Sequence, residues 1–525
     1  MAYLLGIDFG TTNTKAVVFA EDGRVLSSAV RRTPTHVQGH LRAVYYAEEA
    51  WQTVTAAIRE ALAGLPASDT GKPLVIDGLA ISSMAEAGVP LDSAGRELYP
   101  IVAWFDDRSS PQRDWWREHL GAARLFSICG LHLDYIFSVN KIMWLREHEP
   151  DIWRRTVRWL CMSDYLTYRL CGEQAISPSI ASRTMAFDVA RRVWSELILE
   201  LARIPADLFP EVQESSTLIG HVTSQAAAET GLLAGTPVCV GGHDHLCGAL
   251  ACQVYQPGPV LNSVGTTEVV FVAMKEFAPQ VDEPERRGFS CGCHVVPGTY
   301  YALGGVRSAG PLNEWLRSLF AHELMGQGVG LPPDMPAPGI YQALAELGFS
   351  SPPGSRGLFV LPFVAGGRPH RDPEARGVLF GLRSNHTAAD IVRAAFEGLS
   401  YELRWDLEML AAFSGNPVQR LTAIGGGARN ELWLRVKADI TGKAVDVPRL
   451  TESSALGAAL LAGLGTGVYP DVAAATRQSY KVERTVEPDL AAHEIYSRWY
   501  ERVYLPLYPL LRESFLTAAQ LFPET

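Results

Sequence analysis

Two short stretches of this 525-residue chain share one pattern, and that repetition limits the folds open to it. In the first, the Gly-Thr-Thr turn of residues 10–12 separates two apolar runs, residues 4–7 and 16–19. In the second, the Gly-Thr-Thr of residues 265–267 again lies between apolar stretches, roughly half a chain later. Each stretch is typical of a β-hairpin with a polar tip. One such hairpin says little, whereas two indicate related halves that present their tips to each other across a cleft.

The tip of the first hairpin carries groups suited to phosphate. Gly10 lets the backbone approach an anion, Thr11 and Thr12 add hydroxyl donors, and Lys15 supplies positive charge. Asp8 is the exception, because a carboxylate repels phosphate unless a cation lies between them. It is therefore predicted to hold Mg²⁺, usually through water. The alternative, that Asp8 only shapes an Asx-type hairpin turn, stays open.

The length of the chain exceeds what one hydrophobic core normally serves, so two large domains are expected. The internal repetition marks the boundary near residue 250. We therefore predict an α/β protein with an N-terminal domain at 1–250 and a C-terminal domain at 251–480. The remaining segment, 481–525, is predicted to be a helical tail without chemistry.

The charge balance limits the partners. A net charge of -11 argues against nucleic acid, which needs a basic surface, although an acidic protein can still bind ATP through a local loop. No apolar run is long enough to span a bilayer, and the first residues resemble no signal peptide, so no membrane partner and a cytoplasmic location are expected. The eight cysteines lie mostly in apolar surroundings, which suits reduced thiols. Among them only Cys291 and Cys293, with His294, resemble metal ligands, and the expected finger-like second pair is missing.

A second polar turn follows the apolar residues 238–240. It reads Gly241-Gly242-His243-Asp244-His245 and leads into a helical pattern. An Asp at such a corner can face a cleft and accept a proton from a substrate hydroxyl. It can equally be a helix N-cap, and the stretch alone does not decide between the two.

Substrate-binding groups are expected on the first half. Glu86 follows an apolar strand predicted to end near Ser82, and loops at the carboxyl ends of such strands bind ligands in α/β sheets. Residues 99–141 mix aromatic and polar side chains, among them Trp104 and Asp106, as a polyhydroxy ligand requires. A folded subdomain with a mixed core is the simpler interpretation of the same residues.

A third glycine-rich turn lies in the second half. The apolar residues 421–424 break into Gly425-Gly426-Gly427 shortly before a predicted helix at 431–440. Such a turn lets a flat ring or a phosphate approach the backbone, and Asn430 can cap the helix or contact a ligand.

Taken together, these motifs resemble the FGGY carbohydrate kinases. The similarity covers about residues 4 to 465 and is carried by five motifs in the right order and spacing. These are Gly6-Ile7-Asp8-Phe9-Gly10-Thr11-Thr12, Gly242-His243-Asp244, Gly265-Thr266-Thr267, Gly425-Gly426-Gly427-Ala428-Arg429-Asn430 and Glu452-Ser453-Ser454-Ala455-Leu456-Gly457-Ala458-Ala459.

The resemblance implies two actin-like (ribonuclease H-like) domains that close on MgATP and a small sugar or polyol, with a homodimer as a further option. It implies that Asp8 organises Mg²⁺ and that Asp244 is the base that deprotonates the acceptor hydroxyl. It assigns Glu86, Trp104, Asp106, Asp244 and His245 to the substrate. The nucleotide and phosphate positions that it implies are Thr11, Thr12, Asn13, Lys15, Gly265, Thr266, Thr267, Gly304, Gly426, Gly427 and Asn430.

On the substrate side the chain departs from the best-known members. Glycerol kinases have an Arg-Glu pair and xylulokinases a Met-His pair where this chain has Ala85-Glu86. Ile136 stands where glycerol kinases place a substrate Tyr. The Gly-His-Asp motif is similar to that of kinases for fuculose and rhamnulose, but it is too short to name a substrate.

Two other functions share parts of this pattern. An actin-like filament protein or chaperone uses the same two-loop ATP core, but it has no use for a base aimed at a sugar or for the aromatic and polar residues of the first half. A catalytically dead sugar sensor is expected to have lost Asp8 or Asp244, and both are present.

Overall fold

A computed structural model describes residues 1–39, 41–66, 74–265, 267–277, 288–306, 308–326, 337–366, 372, 374–450 and 452–522. The strands are β1 Tyr3–Phe9, β2 Asn13–Ala20, β3 Val25–Arg32, β4 His36–Gly39, β5 Arg42–Tyr45, β6 Gly78–Ser83, β7 Gly88–Leu91, β8 Ile101–Val102, β9 Arg158–Cys161, β10 Ala175–Ile176, β11 Phe187–Asp188, β12 Val193–Trp194, β13 Glu211–Val212, β14 Leu218–His221, β15 Pro237–Cys239, β16 Gly242–His243, β17 Pro259–Val264, β18 Glu268–Met274, β19 Ser290–Cys293, β20 Tyr300–Val306, β21 Phe359–Leu361, β22 Val378–Phe380, β23 Arg420–Ile424, β24 Val445–Pro448 and β25 Val482–Val486. The helices are α1 Ala47–Ala63, α2 Ser110–His119, α3 Ala122–Cys129, α4 Ser138–His148, α5 Pro150–Arg155, α6 Met162–Cys171, α7 Pro178–Ala181, α8 Glu196–Ala202, α9 Ser224–Thr230, α10 Asp244–Ala251, α11 Ala309–Gly326, α12 Ala337–Phe349, α13 Ala388–Ser414, α14 Glu431–Thr441, α15 Ser453–Gly465, α16 Val472–Ser479, α17 Leu490–Trp499 and α18 Leu505–Leu521.

Two seven-stranded sheets form the frame, one in each half of the chain. In the first sheet the strand order is β14-β15-β6-β1-β2-β3, with β16 also paired to β6. In the second it is β19-β20-β18-β17-β23-β24-β25. In each sheet the first strand of the Gly-Thr-Thr hairpin is antiparallel to its hairpin partner and parallel to its other neighbour. The repetition seen in the sequence is thus a repetition of topology.

Strand β1 is apolar on both faces because both faces are covered. Leu5, Ile7 and Phe9 pack on the side of α1, whereas Leu4 belongs to the apolar cluster that contains α10 and α15. Side chains along a strand alternate, so Asp8 shares the face of Leu4 and not that of Leu5. That face is directed toward the second half of the protein.

Helices α10 and α15 join the two halves through very close packing. A Cβ atom on Gly6 of β1 would lie 1.8 Å from the carbonyl oxygen of Ala455 in α15. A Cβ atom on Gly457 would lie 1.9 Å from the carbonyl oxygen of Cys247 in α10. Since both neighbours are backbone atoms, only glycine fits at these two positions.

We expect Gly6→Ala to lower the free energy of unfolding by about 1–3 kcal/mol or more, because the added methyl group must displace backbone that is already packed. Urea denaturation measures the change. Gly39→Ala is the matched control, since a Cβ atom there has nothing within 4 Å. Equal unfolding midpoints for the two variants would contradict this account of the junction.

The remaining elements surround these sheets. Helices from residues 110–209 form a separate apolar cluster beside the first sheet. Residues 150–170 carry a helical sequence pattern, but the structure divides them into α5 and α6 with the mostly buried strand β9 between them. The C-terminal segment predicted as a helical tail begins with β25, which is the edge strand of the second sheet. Helices follow, and α17, a π-helical turn at Tyr500–Tyr504 and α18 pack tyrosines against α13. Among the described residues, no helix has the length and apolarity that crossing a membrane requires.

Candidate functional site

Strand register brings the two candidate carboxylates together. Asp8 of β1 pairs with Ser82 of β6, and Ser82 pairs in turn with Gly242 of β16. Asp244 follows two residues later as the first residue of α10. The carboxyl ends of three neighbouring strands therefore place Asp8 and Asp244 at one edge of the first sheet, which opens toward the second half.

The two carboxylates influence each other electrostatically. Burial and the charge of Asp244 raise the pKa of Asp8 to about 7, against the opposing effects of Lys15 and of the hydrogen bond from Ser82. That bond joins Ser82 Oγ to Asp8 Oδ1 at 3.1 Å. Neighbouring carboxylates with so little positive charge around them suit a cation, because a bound cation would relieve their repulsion.

Asp244 is not the N-cap of its helix. The N-cap position is His243, and Asp244 Oδ1 accepts the backbone N–H of His245 at 2.6 Å. Burial raises the pKa of Asp244; His245 and Arg183 oppose the rise, and the charge of Glu86 adds to it. A carboxylate whose pKa is raised is a better proton acceptor than an ordinary aspartate.

His243 lies beside Asp244 in a neutral form. Burial lowers the pKa of His243 well below its ordinary value, and the charges of His245 and Arg183 act in the same direction. Its Nδ1 atom lies 3.5 Å from Asp244 Oδ1 and makes no hydrogen bond among the described residues. His245 is partly buried, with its ring 5.4 Å from that of His243.

Glu86 is buried in an ion pair that the sequence did not indicate. Arg183 donates from Nε to Glu86 Oε1 at 2.7 Å, and its Nη2 donates to the same oxygen. Both side chains are less than one-tenth exposed. Arg183 lies in the short turn Ser182–Thr184 directly after α7, and no sequence motif pointed to it.

Trp104 connects the expected sugar side with the first phosphate hairpin. Its indole Nε1 donates to Thr11 Oγ1 at 2.8 Å. Beneath it, the buried ammonium of Lys141 donates to the backbone carbonyls of Ile136 and Trp104. Burial lowers the pKa of Lys141 to about 8, although Glu86 and other acidic groups oppose the shift. Lys141 therefore holds the loops that carry Trp104 and Ile136.

Asp106 is fully engaged by the protein. Its Oδ2 accepts the N–H of Ala43 at 2.8 Å and a hydrogen bond from Arg108, and its Oδ1 accepts two more from Arg108. The side chain is 0% exposed. The expected contact between Asp106 and substrate therefore has no support, because the carboxylate is used to fix the loop after β8.

The first phosphate hairpin has an exposed tip. The N–H of Gly10 donates to the carbonyl of Asn13 at 3.1 Å, and Thr12 and Asn13 are exposed. Lys15 Nζ lies 2.6 Å from Glu452 Oε2, directly before α15. The charge expected to meet phosphate is thus held by a carboxylate of the second half, a partner that sequence reasoning missed.

The second hairpin has a related turn. The N–H of Gly265 donates to the carbonyl of Thr267 at 3.0 Å, and both residues are exposed. Thr266 lies outside the described residues. Behind the turn, the ammonium of Lys437 lies 2.8 Å from Glu268 Oε1 and donates to Asn262 Oδ1 at 2.7 Å. These three side chains are almost completely buried and tie the hairpin to α14.

The third glycine turn leads into α14. Gly425 has a φ of 86°, in the left-handed region that favours glycine, and Gly426 is exposed with open space around it. A Cβ atom on Gly427 would collide with the side chain of Val264, the last residue of β17 in the second hairpin. Asn430 caps α14 by accepting the N–H of Trp433 at 3.0 Å. Gly304, by contrast, is buried in β20 against Phe289.

No cluster of three or more His, Cys, Asp or Glu side chains suited to a metal occurs in the part of the chain that the structure describes. Cys291 and Cys293 lie in the buried strand β19, and His294 next to it contacts the carbonyl of Val254. A cation at Asp8 would therefore draw its other ligands from water and from phosphate oxygens, as Mg²⁺ usually does.

Comparison with known proteins finds related sequences and structures along nearly the whole chain. The family model described as FGGY family of carbohydrate kinases, N-terminal domain, matches residues 3–251, and its C-terminal counterpart matches 260–466. The glycerol kinase of Methylibium petroleiphilum is 32% identical over 519 residues, covering 95% of this chain and 98% of that protein. The gluconokinase of Bacillus subtilis is 28% identical over 468 residues, covering 89% of this chain and 88% of that protein. The crystal structure of a xylulose kinase from Rhodospirillum rubrum has a TM-score of 0.87 and 27% identity, covering 98% of this chain and 99% of that one.

Proposed function

The chain belongs to the FGGY family of carbohydrate kinases, and from that premise we propose how its own residues carry out the reaction. It is an enzyme that phosphorylates a hydroxyl of a sugar or polyol at the expense of ATP, and its fold has two actin-like domains with a cleft between them. The filament or chaperone alternative has no support, since the named relatives are sugar, polyol and sugar-acid kinases.

Asp244 is the proposed general base. It accepts the proton of the acceptor hydroxyl as the new oxygen–phosphorus bond forms and the bond between the β- and γ-phosphates breaks, which leaves ADP. Three features support this role: its place at the start of α10, a side chain about one-quarter exposed, and the raised pKa. The hydrogen bond from the N–H of His245 fixes the direction of the carboxylate.

Asp8 is the proposed protein ligand of Mg²⁺. The crowding of two carboxylates supports this assignment, because their mutual repulsion leaves a place for a divalent cation. When bound, the ion neutralises the charge of the transferring phosphate. Ser82 keeps the Asp8 carboxylate directed toward the cleft through its hydrogen bond.

The two hairpins and the third turn are proposed to bind the nucleotide. Exposed residues at the tips of the two hairpins, Thr12 and Asn13 in one and Gly265 and Thr267 in the other, belong to different sheets, which supports a triphosphate bound between the halves. Gly426 and Gly427 let the nucleotide approach the backbone beside α14. Lys15 can contact phosphate only after it releases Glu452.

The eight cysteines are buried and have free thiols, which supports a reducing compartment such as the cytoplasm.

The observation that carries this proposal is that Asp8 and Asp244 lie close together at one edge of the first sheet, where the first hairpin has its exposed tip. Its test is ATP consumption by the purified protein with a panel of ketoses, alditols and aldoses. At least one neutral sugar or polyol is expected to stimulate ADP formation about a hundredfold or more over the sugar-free rate, because only a positioned acceptor makes transfer fast. Equal ADP formation with and without every member of the panel would contradict the proposal.

A further inference from the structure

We propose that Arg183 and Glu86 act as one specificity device, which makes this kinase select neutral polyhydroxy substrates and reject sugar acids. The inference rests on the proposed function and adds the class of substrate to it. Nothing in the motif order indicated this pair. The pair forms because Arg183, from the segment after α7, reaches Glu86, which follows β6. The residue directly before Glu86 is Ala85, which has no charge to pair with it.

The pair is rigid on both sides. Two nitrogens of Arg183 donate to Glu86 Oε1, and the guanidinium lies over the ring of Phe137 at 5.2 Å from its centroid. The backbone carbonyl of Glu86 accepts a hydrogen bond from Ser138 Oγ at 3.1 Å. Both charged side chains are almost completely buried, at 8% exposure for Arg183 and 6% for Glu86. A substrate therefore meets a preformed arrangement and does not have to order it.

One arm of the arginine remains available. Arg183 Nη1 is buried and makes no hydrogen bond of standard geometry among the described residues, and the buried hydroxyl of Tyr301, which also lacks one, lies beside the guanidinium. His243 Nδ1 is also buried without a hydrogen bond, and it lies 3.5 Å from Asp244 Oδ1. Arg183 is close enough to Asp244 to influence its carboxylate electrostatically. Buried polar atoms without partners are costly unless a ligand satisfies them, so the site is built to receive oxygen atoms of a bound molecule.

The charges around Arg183 Nη1 determine whether it binds a carboxylate oxygen or a hydroxyl oxygen. Glu86 cancels the charge of Arg183, and Asp244 adds a negative charge beside them. Lys141, a second cation near Glu86, also lies near the acidic Asp106 and Asp134. The site as a whole thus offers no positive charge to offset a carboxylate. A hydroxyl group, in contrast, accepts from Arg183 Nη1 without bringing a charge into a buried place.

The test compares matched neutral and acidic probes in the wild-type protein: xylitol with xylonate, glucitol with gluconate, and D-xylulose as a neutral ketose. The kcat/KM for the best neutral probe is expected to exceed that for its acid by about a hundredfold or more. A wild-type preference for an acid, or an equal rate for both, would overturn the inference while leaving the kinase assignment intact. An absence of ATP consumption with all probes and with the wider panel would overturn both.

Two variants identify the pair as the cause. In Glu86→Gln the arginine charge loses its partner, so the ratio of acid to neutral kcat/KM is expected to rise at least about tenfold, mainly through a lower KM for the acid. In Arg183→Met the kcat/KM for the neutral probe should fall about tenfold or more without any gain for the acid, and Arg183→Lys should restore part of it. An unchanged ratio in Glu86→Gln would overturn the proposal.

The matched control is Arg31→Met, which breaks a surface pair with Glu60 in which both side chains are about half exposed. Its acid to neutral ratio should equal that of the wild type. Thermal unfolding and the affinity for a nonhydrolysable ATP analogue are measured for every variant, because a merely structural role would lower stability without moving the ratio. If Glu86→Gln does not fold, the wild-type ratio and Arg183→Lys still decide the question.

Discussion

Replacing Asp244 with asparagine should lower kcat for phosphoryl transfer at least about a hundredfold, as the loss of a positioned base does. The amide oxygen can still accept the N–H of His245, so α10 should begin at the same residue. The variant removes the negative charge of Asp244 from the neighbourhood of Asp8, and this should not weaken the binding of a metal-bound nucleotide. The measurement is steady-state ADP formation with the best sugar of the panel, together with the affinity for an ATP analogue.

The control for this variant is Asp207→Asn, which changes the same residue type at an exposed position after α8. It should keep wild-type rates. If Asp244→Asn kept near-normal turnover on the true substrate, Asp244 would serve only the start of the helix.

The Asp8→Ala variant is expected to lose activity by about a thousandfold or more, at any ATP concentration. The charge of the triphosphate would lack its organised cation during transfer, and additional ATP does not replace that cation. Stability should not fall at pH 8. The folded-state pKa of Asp8, about 7, lies above its ordinary value, so the ionised carboxylate is unfavourable in the folded protein above that pH, and alanine removes this cost.

For this prediction the control is Asp22→Ala, an exposed aspartate in the turn between β2 and β3. Activity and thermal unfolding of that variant should match the wild type. Recovery of Asp8→Ala at high ATP would mean that Asp8 merely shapes the first hairpin.

Much of the fold could be predicted from the sequence because the signal was local and repeated. Two apolar runs around Gly-Thr-Thr define a hairpin by themselves, and the second copy predicts the second sheet. The helix at 453–465 was also predictable from its small residues, which suit tight packing. The strand β9 was not predicted, since its four residues, three of them buried, are too few to show a period of their own.

The candidate site was predictable only where its residues stand next to glycine turns. Asp8 and Asp244 do, whereas Arg183 lies 97 positions from the Glu86 that it binds. The partner of Lys15 is more distant still, 437 positions along the chain. No periodicity links such pairs, because they meet only after the sheets and helices have assembled. For the same reason the burial of Asp106 could not be inferred from its position beside Trp104.

The helix α15 has a consequence for how far the two halves can be separated. It comes from the last fifth of the chain, yet it covers β1 and β6 of the first sheet and joins their apolar cluster with that of α10. A fragment that stops near residue 250 would leave this sheet face open to water. The halves that repeat each other in topology are therefore not independent modules. Any truncation, circular permutation or split-protein design has to keep the first strand and this late helix in the same folded unit.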